Sequence, residues 1–122
     1  MNLGQLGETL VAETYLKLGF EVLDRNYKFA HGRQMGELDL VVRKGNQVIF
    51  VEVKTRRGNK FGTPFDSVDI YKQRKLVKMV KLYLSVKRIS PDINYRIDVA
   101  AVDIDNRENP VIILANAVED SD

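Results

Sequence analysis

Gly36-Glu37-Leu38-Asp39-Leu40-Val41-Val42-Arg43-Lys44-Gly45-Asn46-Gln47-Val48-Ile49-Phe50-Val51-Glu52-Val53-Lys54 is the stretch whose reading decides the fold. Two apolar runs, Leu38–Val42 and Val48–Val53, flank Lys44-Gly45-Asn46. β-Rich segments on either side of a short Gly/Asn turn read as a hairpin. The second run is apolar on both faces, which predicts a central strand covered from both sides. Side chains alternate along a strand, so Glu52 and Lys54 share one face and Val51 and Val53 the other. Three charges, Asp39, Glu52 and Lys54, interrupt these runs. Charge in so apolar a setting is costly unless it is paired or binds a metal.

Upstream of the hairpin, Leu3, Leu6, Leu10 and Val11 recur at helical spacing, followed by Tyr15, Leu16 and Leu18, and predict a helix over residues 3–18. Asn2 stands as N-cap with Gln5 in capping-box spacing, and Gly19 is a natural stop. Glu8, one turn in, reads on its own as an exposed acid that complements the helix dipole. Phe20–Phe29 alternates as extended chain, and residues 30–35 form a loop that holds the one histidine, His31, read as solvent-exposed. Downstream, residues 56–65 contain two glycines and Pro64 and read as a loop. Asp69 caps a second helix over residues 70–86, with Leu76, Val80, Tyr83 and Leu84 as its apolar stripe. Ser90-Pro91-Asp92 ends that helix, residues 95–102 form a strand, residues 105–110 a turn, and residues 111–114 a short last strand. Arg96 and Asp98 share a face and are expected to pair with each other or with the hairpin. The order helix, three strands, helix, two strands predicts a mixed α/β layer arrangement in one domain over residues 1–116, with an acidic tail over residues 117–122.

At 122 residues the chain supports one core. It has no cysteine, which excludes disulfides and thiolate metal sites and fits a reducing, cytoplasmic setting. No apolar run approaches the ~20 residues of a membrane span, and the N-terminus does not read as a signal peptide. Net charge is only +2, yet residues 54–88 carry eleven Lys/Arg against two Asp, a net +9. A basic middle on a near-neutral chain is a footprint for a polyanion, with a solvated helix face as the bland alternative. The residues expected to contact nucleic acid are Arg56, Arg57, Lys60, Lys72, Gln73, Arg74, Lys75 and Lys78.

Where the hairpin strands lie side by side, Asp39 and Glu52 would face one site. Two carboxylates alone would repel, and one would protonate. A divalent cation removes that conflict, and oxygen ligands without Cys or His suit Mg²⁺ or Mn²⁺. The Val53 carbonyl offers a third oxygen. Lys54 would orient the nucleophile or neutralise developing negative charge on a phosphate. The chemistry so assembled is phosphodiester hydrolysis. The competing reading is a Glu–Lys pair on a solvent face with Asp39 paired to a neighbouring cation.

Gly36-Glu37-Leu38-Asp39-Leu40-Val41 together with Val51-Glu52-Val53-Lys54-Thr55-Arg56 resembles the core motif of the PD-(D/E)xK nuclease superfamily, with Leu38 in place of the proline. The whole chain resembles the YraN family of small bacterial proteins. Gly7-Glu8, Tyr15-Leu16, Gly19-Phe20, Arg25-Asn26-Tyr27, Phe61-Gly62-Thr63-Pro64, Lys72-Gln73-Arg74-Lys75-Leu76 and Tyr95-Arg96-Ile97-Asp98-Val99 extend the likeness from residue 4 to about 115. The resemblance implies a restriction-endonuclease-like α/β fold, a central mixed sheet of about five strands flanked by helices, with the hairpin in the middle of the sheet. It also implies metal ligation by Asp39 and Glu52, with Lys54 catalytic. Related junction-resolving nucleases place a first-helix glutamate at the metal site, a role that Glu8 matches. The expected protein is a Mg²⁺- or Mn²⁺-dependent endonuclease on DNA, branched or structured DNA included. The alternative is a non-catalytic nucleic-acid-binding protein on the same scaffold. A homodimer would supply the two active sites that two-stranded cleavage needs.

Overall fold

The computed structural model describes residues 1–29, 36–58 and 69–118. The elements run α1 (Leu3–Lys17), β1 (Glu21–Lys28), β2 (Glu37–Lys44), β3 (Gln47–Arg56), α2 (Ile70–Val86), β4 (Asn94–Asp103) and β5 (Val111–Val118). The strands form one sheet in the order β1-β2-β3-β4-β5. β3 and β4 are parallel, as a crossover through α2 requires, and the other neighbours are antiparallel. Among the described residues no helix is long and apolar enough to cross a membrane.

Local chemistry sets both helix starts. The Asn2 side chain accepts the Gln5 N–H at 2.8 Å while the Gln5 side chain accepts the Asn2 N–H at 3.0 Å, a reciprocal capping box. The Asp69 carboxylate accepts the Lys72 N–H at 2.9 Å. Gly45, at φ +56°, makes the β2–β3 turn. β3 is the central strand, with Val48, Ile49 and Phe50 fully buried. One face of the sheet packs Leu40, Val42, Ile49, Val51, Ala100 and Val102 against Val11, Ala12 and Tyr15 of α1. The other packs Val48, Phe50, Ile97 and Val99 against Leu76, Val80 and Tyr83 of α2. Edge-on aromatic contacts run Phe29–Tyr27–Tyr83–Phe50–Tyr95 through that second core, at centroid distances of 5.1, 5.1, 5.5 and 6.2 Å. Each such pair adds ~0.5–1.5 kcal/mol beyond area burial.

The expected Arg96–Asp98 pair forms, and it is structural. Asp98 has no solvent exposure. Its carboxylate accepts from Tyr15 Oη at 2.7 Å, Arg96 Nε at 3.0 Å and the Asn116 N–H at 2.9 Å. Burial, then the bond to Asp98, push the Tyr15 hydroxyl far above its ordinary range, so Tyr15 is a permanent donor. The last strand is longer than its apolar run suggests. Ala117 and Val118, assigned to the tail from sequence, belong to β5, and Val118 is buried opposite Ile97. Residues 119–122 lie outside the described residues.

Candidate functional site

β1 and β2 change face together at one point, and that point places Asp39. Leu40 and Val42 pack on the α1 side, whereas Leu38, two residues before Leu40, packs on the α2 side. Regular alternation would put all three on one face. Across the ladder, Arg25 pairs with Leu40 and Tyr27 with Leu38, so Asn26 stands opposite Asp39. Asn26 has φ +50°, a conformation Asn tolerates better than most residues. The β2–β3 pairing runs from Lys44↔Gln47 to Leu40↔Val51 and stops there. Asp39 therefore lies just past the end of the β2–β3 ladder, and its Oδ2 accepts the Val53 N–H at 2.9 Å. A side chain takes over a bond that a strand carbonyl would otherwise make, and the two strands part where Glu52 begins.

Burial, and next the negative charge of Glu52, push the Asp39 carboxyl up to about 7; the Val53 N–H opposes this, and Glu8 and Glu37 add to the rise. Glu8 is 9 % exposed on the buried side of α1. That helix comes close because residue 7 is glycine: a Cβ there would collide with the Thr55 side chain. Glu52 and Lys54 share the α2 side of β3, as alternation predicts, with Lys54 Nζ 3.4 Å from Glu52 Oε1 and each side chain 24 % exposed. The pair is thus half-buried and not on an open solvent face. Together with Gly36, Glu37, Lys72, Lys75, Leu76 and Met79 it lines a cavity of about 210 Å³.

The sequence-derived site residues divide into groups. Asp39, Glu52, Val53, Lys54 and Glu8 come together around the parting of the strands. Lys72 and Lys75 reach the same cavity from the first turns of α2, and Gln73, half-buried, lies between them. Arg74 and Lys78 are exposed on the flank of α2 opposite its buried stripe and do not line the cavity. Arg56 lines a different cleft, with Gly58, Asp103 and Pro110, and Arg57 pairs with Asp105 at 3.3 Å. Lys60 and His31 lie outside the described residues. Sequence reasoning did not single out Glu37 or Asn26. An Asn in an otherwise extended segment, at the position that mirrors Asp39 across the ladder, was the available signal.

The donors fit a hard divalent cation in kind. They are carboxylate and carbonyl oxygens, and Asp39 is held away from its charged form partly by its negative neighbours, a conflict that a cation relieves. A buried oxygen without a hydrogen-bond partner, Thr55 Oγ1, lies on the α1 side of the same strand end. Among the described residues no three acidic or histidine side chains are drawn together tightly enough to form a complete ligand set. Mg²⁺ does not need one, since it keeps several waters and takes one or two carboxylates.

A mixed five-stranded sheet with α1 and α2 on opposite faces, and with the Asp and Glu-x-Lys positions at its centre, is a restriction-endonuclease-like α/β domain. The chain belongs to UPF0102, described as an uncharacterised protein family and also known as the YraN family, whose model matches residues 7–102. That span takes in Glu8, Asp39, Glu52 and Lys54. The UPF0102 protein of Caldicellulosiruptor saccharolyticus is 37 % identical over 118 residues, 95 % of this chain and 96 % of its own length. That of Dictyoglomus thermophilum is 43 % identical over 87 residues, 71 % and 70 % of the two chains. That of Clostridium botulinum is 32 % identical over 120 residues, 97 % and 94 %.

Proposed function

We propose that the protein is a divalent-metal-dependent endonuclease acting on DNA, with branched or otherwise structured DNA among its substrates. The observation that carries this reading is Asp39, just past the end of the β2–β3 ladder and bonded to the Val53 N–H, beside Glu52 and Glu8. Buried carboxylates are ordinarily paired with a cation, whereas the charged groups that shift the Asp39 carboxyl are all acids, Glu52, Glu8 and Glu37. Asp39, Glu52 and the Val53 carbonyl would hold Mg²⁺ or Mn²⁺, with Glu8 as a further carboxylate. When bound, the ion supplies Lewis acidity to the phosphoryl group and lowers the pKa of the attacking water. Lys54, fixed by Glu52, stands to offset charge that develops on the phosphate as its bond breaks. Lys72 and Lys75 border the cavity and hold neighbouring phosphates.

The test is cleavage of duplex, flapped and four-way-junction DNA with and without Mg²⁺ or Mn²⁺. Glu52→Ala and Lys54→Ala should each abolish cleavage. Cleavage that survives both substitutions refutes the assignment. One observation favours a second reading, non-catalytic binding to nucleic acid on the same scaffold: Glu52 is already paired with Lys54. That reading predicts salt-sensitive binding that needs no metal and tolerates Glu52→Ala, with no heat of Mn²⁺ binding by calorimetry.

A further inference from the structure

The cavity beside Glu52 and Lys54 has walls that phosphodiester chemistry does not use. Leu76 and Met79, 5 % and 6 % exposed, enter it from α2, while Glu37, Lys54 and Lys75 stand around them. At about 210 Å³ it lies below the ~300–1,000 Å³ of pockets that enclose a drug-sized ligand, so it takes one small ring system. A phosphate seeks cations and N–H donors on every side and gains nothing from a thioether and an isobutyl group. A nucleobase has apolar faces and a polar edge, and a methionine sulfur packs well against an aromatic ring. Gly36 keeps the space open. Its φ is +91°, and a Cβ there would sit 3.3 Å from both Lys75 Cε and Met79 Sδ, pressing on two of the cavity's walls.

We infer that this cavity receives the base of one unpaired nucleotide next to the phosphodiester held at Asp39, Glu52 and Lys54. The inference rests on the reading of those three residues as a phosphodiester site. A paired base can enter only by leaving its stack, and that penalty is smallest where the nucleotide is already mismatched or single-stranded. The substrate class is therefore DNA with an unpaired nucleotide at a bulge, flap or junction, in preference to continuous duplex.

The experiment is fluorescence anisotropy on the full chain in chelator, repeated over a series of salt concentrations, so that binding is read apart from cleavage. Three labelled oligonucleotides are compared: a paired duplex, the same duplex with one unpaired nucleotide, and that duplex with an abasic residue at the unpaired position. The intact base should bind about tenfold tighter than the abasic residue, the size of one modest stacking contact. The two carry the same phosphates, so their salt dependence should match. Met79→Ala should reduce the preference to about threefold or less with the salt slope unchanged. Equal affinity for the intact and abasic sites in the natural chain overturns the proposal, whether or not the variant folds, as does absence of binding to all three. Base preference without Mg²⁺- or Mn²⁺-dependent cleavage supports the cavity and removes the catalytic reading. Cleavage without base preference does the reverse.

Discussion

Asp39→Asn is expected to stabilise the protein at neutral pH. The asparagine oxygen can still accept the Val53 N–H now bonded at 2.9 Å, so the tie that parts the strands survives. What disappears is a carboxyl whose pKa rises from 3.8 to about 7 on folding. The sign follows from proton uptake. Below about pH 4 the group is neutral in folded and unfolded chains and contributes no difference. Between about 4 and 7 the unfolded chain releases its proton while the folded chain retains it, so stability falls as pH rises through that window. A rise of about three pH units corresponds to about 4 kcal/mol at ~1.36 kcal/mol each. Solvent around Glu52, a quarter exposed, screens part of the repulsion, which leaves ~2–4 kcal/mol. Urea denaturation of both proteins in chelator at pH 4 and pH 8 reads the effect directly. The two should match at pH 4, and the variant should lead by that amount at pH 8. Added Mn²⁺ should narrow the gap by stabilising the natural chain alone. A variant that is less stable at pH 8, or a gap that does not change with pH, would refute the reasoning.

Other substitutions probe the frame and the nucleic-acid surface. Asp98→Ala removes the acceptor shared by Tyr15, Arg96 and the Asn116 N–H, leaves the buried Tyr15 hydroxyl without its partner, and should cost ~1–3 kcal/mol in a denaturant titration. Gly7→Ala drives a methyl group into Thr55 and should cost ~1–3 kcal/mol by the same measurement; its crystal structure should show α1 displaced from β3. Lys72→Ala with Lys75→Ala should lower the slope of log affinity against log salt by ~1.8 on duplex DNA. Arg74→Ala with Lys78→Ala, on the opposite flank of α2, should change that slope by less than half as much. Similar losses from the two pairs would show that the outer face of α2 binds the polyanion as strongly as the cavity side.

The order of elements was legible because each carried its own local signal. Gly45-Asn46 marked the hairpin, Asn2 with Gln5 and Asp69 marked the two helix starts, and the doubly apolar run from Val48 to Val53 marked the central strand. That Glu52 and Lys54 share a face followed from strand alternation alone. The face change at Asn26 and Asp39 did not, because alternation assumes a regular ladder and the break involves two residues thirteen positions apart. Basic residues on α2 were countable from sequence, but only packing decides that Lys72 and Lys75 border the cavity while Arg74 and Lys78 do not. Glu37 joins the acids around Asp39 because the strand turns there, which no spacing rule anticipates. The reach of β5 was hidden by Ala115, Asn116 and Ala117, residues of weak strand preference that bulge out of register opposite Asp98, where the Asn116 N–H bonds the Asp98 carboxylate.

The buried carboxylate of Asp98 also imposes an order on biosynthesis. Its partners arrive with α1, with β4 itself and, last, with Asn116 on β5. A nascent chain that has emerged only as far as β4 therefore holds Asp98 on the edge strand of its sheet with one donor still missing, and that edge is still unpaired. Strand pairing that is locally favourable earlier cannot become a closed native structure until residues 116–118 are free of the ribosome. Stalled or truncated chains that stop at residue 110 should accordingly be the aggregating, protease-sensitive species, while a few more residues convert them into the folded domain.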